Sequence, residues 1–190
     1  SVNMPEWPGL MALVEPQANL WASVGVHPDY EDTPDPTPEE LVRLSEHPKV
    51  VAIGETGLDY YRLSEPLDWQ RERFRRHIRA ARDTGLPLIV HTRASAEDTV
   101  RVLQEEKASE AGGVMHCFTE NWEVAQAALD QNFYISLSGI VTFKNAQVVH
   151  EVAAKVPLDR LLIETDSPYL APVPYRGKPV SYTHLRAHET

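Results

Sequence analysis

The chain has 190 residues, 42% of them hydrophobic and 24% charged, with 18 basic against 28 acidic side chains. This is the composition of one ordinary folded domain, or a large piece of one, and it excludes a wholly disordered chain. No stretch approaches the ~18 consecutive apolar residues of a spanning helix, so no membrane partner is expected. The acidic balance argues against nucleic-acid binding through a broad basic surface, which needs many Lys and Arg contacts to phosphates. It leaves room for an enzyme that holds one or two phosphates through metal ions. A lone cysteine, Cys117, has no internal disulfide partner, and residues 1–20 lack the basic start and apolar run of a signal peptide. A reducing, cytoplasmic location is the resulting expectation.

In chain order, short apolar runs predict strands at 20–26, 50–54, 86–90, 113–115, 133–137 and 161–163. Most are continuously apolar, as in strands buried on both faces of a parallel sheet. Helical patterns fill the gaps. Thr37 is placed to cap a helix with Pro38 at its first position, where the missing N–H costs nothing. Pro66 is expected to open the next, which carries Leu67, Phe74, Ile78 and Ala81 and ends near Gly85. Ser95 to Asp98 reads as a loose capping box. Trp122, Ala125 and Leu129 mark one further helix face, and Val148, Val152 and Val156 another. Strands alternating with helices imply an α/β fold with a parallel sheet. With six visible strands, against the ~250 residues of a full barrel, the pattern predicts an incomplete TIM (β/α)8 barrel of about six βα units.

The residues at the carboxyl ends of the strands carry the chemistry. The six strand ends lead into His27-Pro28, Glu55 to Asp59, His91-Thr-Arg93, His116-Cys117, Ser136 to Gly139, and Glu164-Thr-Asp166. In a parallel barrel these ends converge on one face, where active sites sit. Alone, His91 or His116 reads as a hydrogen-bonded core residue, and Glu55 or Asp166 as a helix cap. Together, two imidazoles and two carboxylates make a mixed N/O set suited to Zn, Mn, Co, Ni or Fe, and tolerant of Mg. His27 is expected near substrate, or else as part of a strand-ending turn. Arg93 is expected in the same mouth or in a surface salt bridge. Strand alternation sends Cys117 to the opposite face as a buried structural thiol. His47, His77 and His150 are expected at the surface.

At these residues the chain resembles the TatD-type metal-dependent deoxyribonucleases, a branch of the amidohydrolase-like barrels. The segments that carry the resemblance are VGVHPD, IGETGLDYYR, LPLIVHTR, HCFTENWE, YISLSGIVTFKNA and LLIETDSPYLAPVPYRGKP. It implies two divalent metal ions of the Mg, Mn or Zn class. Glu55 would bridge them, His91 and His116 would bind the second, and Asp166 would bind the first and orient or deprotonate the attacking water. Glu164 would support that site, with His27 and Arg93 near substrate. The implied activity is hydrolysis of DNA phosphodiesters at single-stranded ends, by an enzyme monomeric in its complete form.

The chain departs from the family pattern at both ends. It contains no His-x-His, the motif with which the family's first strand supplies two ligands to the first metal. The resemblance stops after Pro179. The expected organisation is a partial barrel at 1–179 and a tail at 180–190 that resembles translated adapter sequence. His184 and His188 in that tail have helical metal-pair spacing, and ligation there is not expected. Two other functions compete: a hydrolase of a small amide or ester using the same ions, and an inactive fragment.

Overall fold

The structure, a computed structural model, describes residues 2–61 and 67–179. Six strands form one sheet in the order β1 to β6, all neighbours parallel. They are β1 Ala22–Val24, β2 Val50–Asp59, β3 Leu88–Arg93, β4 Gly113–Met115, β5 Phe133–Leu137 and β6 Leu161–Ile163. Between them run α2 Pro38–Ser45, α3 Asp68–Thr84, α4 Ala96–Glu105, α5 Trp122–Leu129 and α6 Gln147–Lys155, after an initial α1 at Trp7–Val14. Among the described residues β1 and β6 stay unpaired to each other, so the sheet has the order of a barrel without closing. No described helix is long and apolar enough to cross a membrane.

The local signals act largely as their chemistry requires. Thr37 Oγ1 accepts from Glu40 N–H at the start of α2, and Asn121 caps α5 by accepting from Val124 N–H. Gly85 closes α3 in the left-handed region at φ 69°. Pro66 lies outside the described residues, as does the tail with His184 and His188. Phe74, Ile78 and Ala81 of α3 bury against the sheet with Leu88, Val90 and Ile135. Removing side chains such as Phe74 and Ile78 from water is worth about 2 kcal/mol each.

Several expectations are corrected. Helix α1 was not foreseen: Pro5, Pro8 and Gly9 crowd its start, yet Trp7, Met11 and Val14 bury one face at helical spacing. Strand β1 is shorter than predicted, because the Val26 N–H turns away to His77 Nε2 at 3.0 Å. Strands β2 and β3 run past their predicted ends, so Glu55, Asp59, His91 and Arg93 sit inside strands. Two glycines allow this. A Cβ on Gly54 or Gly57 would strike the carbonyl oxygen of Ile89 or His91 across the ladder, and both glycines hold positive φ that other residues resist. The Ser95 capping box does not form, because the buried Ser95 hydroxyl donates to Leu58 O at 2.7 Å instead. In α6 the buried face is Val149, Val152 and Val156, while Val148 is 49% exposed. Val149 lies three residues before Val152 and shares its buried face of the helix.

Candidate metal centre

The strand ends bring the expected residues to one cleft of about 1180 Å³, lined by His27, Glu55, Asp59, His91, Arg93, His116 and Asp166 among others. One atom organises it. Glu55 Oε1 lies 3.4 Å from His91 Nδ1, 3.5 Å from His27 Nε2 and 3.8 Å from His116 Nε2. His116 Nε2 is also 3.4 Å from Asp166 Oδ1. Two groups bring candidate ligand atoms within 4.8 Å of one another, close enough to share an ion: His27, Glu55 and His91, and His116, Glu164 and Asp166.

The far nitrogens of two of these histidines are anchored by carboxylates. His91 Nε2 donates to Asp59 Oδ2 at 2.9 Å, and His116 Nδ1 donates to Glu164 Oε2 at 2.8 Å. Each anchor keeps a proton on the outward nitrogen and leaves the inward one with a lone pair for a cation; in His91 that nitrogen, Nδ1, accepts from His27 Nε2 at 3.2 Å, a contact a cation there would displace. His27 has the opposite polarity. Its Nδ1 accepts from the Asp29 N–H at 3.2 Å, which leaves the proton on Nε2, the nitrogen facing the cleft. In the neutral state His27 is therefore a donor toward the cleft, and His91 and His116 are acceptors there.

Charge at the site demands a cation. Burial works against the charge on Glu55, but the His91 hydrogen bond and the positive charge of His116, His27 and His91 outweigh it and draw the carboxyl down to about 2. Burial likewise opposes charge on His91 and His116. Asp59 and Glu55 nevertheless push His91 up to about 9, and Asp166 and Glu164, with Glu55, push His116 up to about 10. His27 moves down, chiefly by burial. Four carboxylates thus draw protons onto two imidazoles, and a divalent ion would supply the same charge at the inward nitrogens. Glu164 Oε1 is buried without a hydrogen-bond partner, a further donor atom left for such an ion. The mixed N/O donor set fits a Zn, Mn or Mg class ion.

Glu55 caps no helix, since it lies within β2. Arg93 faces the cleft and forms no described salt bridge; its guanidinium lies 3.8 Å over the Tyr61 ring. Cys117 is corrected: it lines the cleft rather than the opposite face. Strand β4 ends at Met115, and the left-handed φ of 45° at Cys117 turns the thiol back toward the mouth. Burial raises that thiol to about 12, so it makes a poor nucleophile.

His77 is also corrected. It is fully buried in α3, accepting from Val26 N–H and donating from Nδ1 to Arg73 O at 2.8 Å. It belongs to a buried polar ridge with Gln70 and Arg73, spaced three and four residues apart. Gln70 donates to Pro28 O and Asp59 O and accepts from Asp59 N–H. Arg73 donates to Tyr30 O and pairs with Asp35. The ridge fixes the segment that carries His27. The sequence places Asp59 at the end of the second strand without giving it a role, and it gives no sign of this ridge. Asp59 could have been found from its spacing, four residues after Glu55 and so on the same side of a strand.

The comparisons agree with the geometry. A family profile described as "TatD related DNase" matches residues 1–188. A protein of Escherichia coli (strain K12) named "Uncharacterized metal-dependent hydrolase YcfH" is 51% identical over 178 residues, covering 94% of this chain and 67% of that protein. The "3'-5' ssDNA/RNA exonuclease TatD" of the same strain is 34% identical over 188 residues, covering 98% of this chain and 72% of that protein. The chain thus spans about two thirds of the length of such relatives. The crystal structure of YJJV, a TatD homologue from Escherichia coli K12, aligns with a TM-score of 0.87 at 28% identity, over 95% of this chain and 70% of the other. With the sheet order of a TatD barrel and an N/O donor cluster at its strand ends, the chain belongs to the TatD-related DNase family of metal-dependent hydrolases.

Proposed function

We propose that the chain's site hydrolyses phosphodiester bonds of DNA, working from single-stranded ends. The carrying observation is the convergence of three imidazoles on Glu55 Oε1, with His91 and His116 anchored from behind by carboxylates. Glu55 would bridge two divalent ions; His91 and His116 would hold the second and Asp166 the first. When bound, such ions neutralise phosphate oxygens and lower the pKa of a bound water toward neutrality. Asp166 orients the attacking water and takes its proton. Glu164 keeps His116 in the ligating tautomer. His27 directs its Nε2–H at a phosphate oxygen, and Arg93 supplies positive charge that the acidic surface lacks. The name of the 34%-identical relative, a 3'-5' ssDNA/RNA exonuclease, supports the choice of substrate and an exonucleolytic mode. A cytoplasmic location, a monomeric complete enzyme and a partial barrel at 1–179 with a separate tail at 180–190 belong to the same reading.

The test is a 5'-labelled and a 3'-labelled single-stranded oligonucleotide, incubated with the chain in Mg²⁺, in Mn²⁺ and in chelator. Metal-dependent shortening from one end is the expected result. Hydrolysis of small amide or ester substrates with the oligonucleotide left intact would transfer the site to the other hydrolase reading.

A further inference from the structure

Resting on that reading, we propose that Arg93 and Tyr61 form a second phosphate subsite, which binds the phosphodiester next to the one being cleaved. The two residues close the ends of paired strands: Asp59 and Arg93 are register partners, and the Tyr60 N–H donates to Arg93 O at 2.9 Å. Arg93 lies two residues after His91 on β3, so both side chains point to the same side. That step along the strand is about 7 Å, comparable to the spacing of successive phosphates in an extended single strand. The guanidinium lies 3.8 Å over the Tyr61 ring, which holds its plane, and its N–H groups meet no carboxylate among the described residues.

Two further observations point to an anionic ligand. Arg71, Arg73, Arg75, Arg76, Arg79 and Arg82 of α3 all pair with carboxylates. Arg93, inside the cleft, has no carboxylate within 4.0 Å among the described residues, although the cleft is rich in them. Second, the platform is tied to the metal centre. Asp59 accepts from His91 through Oδ2 and from the Tyr61 N–H through Oδ1 at 2.9 Å. One carboxylate thus sets both the ligand imidazole and the backbone beneath the aromatic ring. Tyr61 itself is 62% exposed, open for a strand to pass across it. A planar fork held flat matches two non-bridging phosphate oxygens, which a lysine does not. The subsite would make the site prefer a substrate with two consecutive phosphates over a single diester or a small uncharged ester.

Thymidine trinucleotides test this: one with both phosphodiesters, and two in which one or the other linkage is a neutral methylphosphonate. Binding is measured by fluorescence anisotropy of an end label in Ca²⁺, with thermal melts of every variant as folding control. For the wild-type chain, neutralising either linkage should weaken binding at least about tenfold, the usual loss for a hydrogen bond to a charged group. In Arg93→Gln, and largely in Arg93→Lys, one of the two neutral linkages should become silent while the other still costs affinity. Tyr61→Phe should behave as wild type and Tyr61→Ala as a weaker Arg93→Lys. An Arg93→Gln chain that remains equally sensitive to both linkages would overturn the subsite and leave the nuclease reading standing. A wild-type chain that binds none of the trinucleotides removes both.

Discussion

Replacing Asp59 with Asn tests whether the anchored imidazole is what makes the centre bind metal. Asn keeps the shape, and its carbonyl oxygen can still accept from the His91 Nε2–H, but the charge is gone. His91 stands near 9 rather than its ordinary 6.5, a preference for the positive state of about 3 kcal/mol after burial has been overcome. Asp59 and Glu55 together supply more than that net value, so Asp59 contributes at least about 1.5 kcal/mol, or tenfold. The same carboxylate strengthens binding of a proton and of a metal ion at His91, and the two cations compete for the ring. The loss should therefore depend on pH. At pH 9, where the proton no longer competes strongly, Asp59→Asn should bind Mn²⁺ about tenfold more weakly than wild type. Toward pH 7 the curves should converge, because the variant also sheds a proton more easily. The assay is anaerobic competition against a fluorescent chelator across pH 7–9, with melts to show that the Gln70 and Tyr61 contacts survive. Equal affinities at pH 9, or a loss of the same size at both ends of the range, would refute the reasoning.

Three other outcomes are expected. The wild-type chain should retain about one divalent ion rather than two after desalting, because without a His-x-His motif the first site keeps only Asp166 and the shared Glu55, and the double variant His91→Ala with His116→Ala should retain none; equal metal content by elemental analysis would remove the assignment. In the complete parent protein Asp166→Asn should lower oligonucleotide hydrolysis by about 10²–10⁴ with an unchanged melting temperature, the range for loss of one positioned base; more than half of wild-type activity would place the base elsewhere. His77 is depressed, chiefly by burial, from 6.5 to about 4, so the folded state binds fewer protons than the unfolded one. Its contribution is present above pH 6.5 and is lost as pH falls through 4, up to about 3 kcal/mol. His77→Gln, which keeps an acceptor for Val26 N–H, should show a flatter decline in denaturant unfolding between pH 7 and pH 4, and parallel declines would contradict the role given to His77.

The sequence by itself determined the layout. Continuously apolar runs such as that of β3, where Leu88 and Val90 are fully buried, marked the strands, because burying them on two faces needs no knowledge of the neighbour. Thr37 with Pro38 marked the start of α2, because a cap is satisfied within one turn of its own chain. The five strand ends carrying His27, Glu55, His91, His116, and Glu164 with Asp166 were legible for a related reason: parallel topology alone sends every carboxyl end to one face. Tertiary structure decided what these groups are bonded to. Ser95 looked like a cap, but its hydroxyl serves a carbonyl of β2, 37 residues away. His77 looked like a surface residue of an arginine-rich helix, but it receives the N–H that ends β1, 51 residues away. Asp59 gained its role only when the β2–β3 register, which pairs Gly57 with His91 and Asp59 with Arg93, brought its carboxylate within reach of the His91 ring, and that register rests on two glycines whose missing side chains let the strands approach. Hydrophobic burial is written in a local period that any window of the chain displays. A buried polar group is satisfied by one specific partner, and the fold supplies that partner from a distant part of the chain.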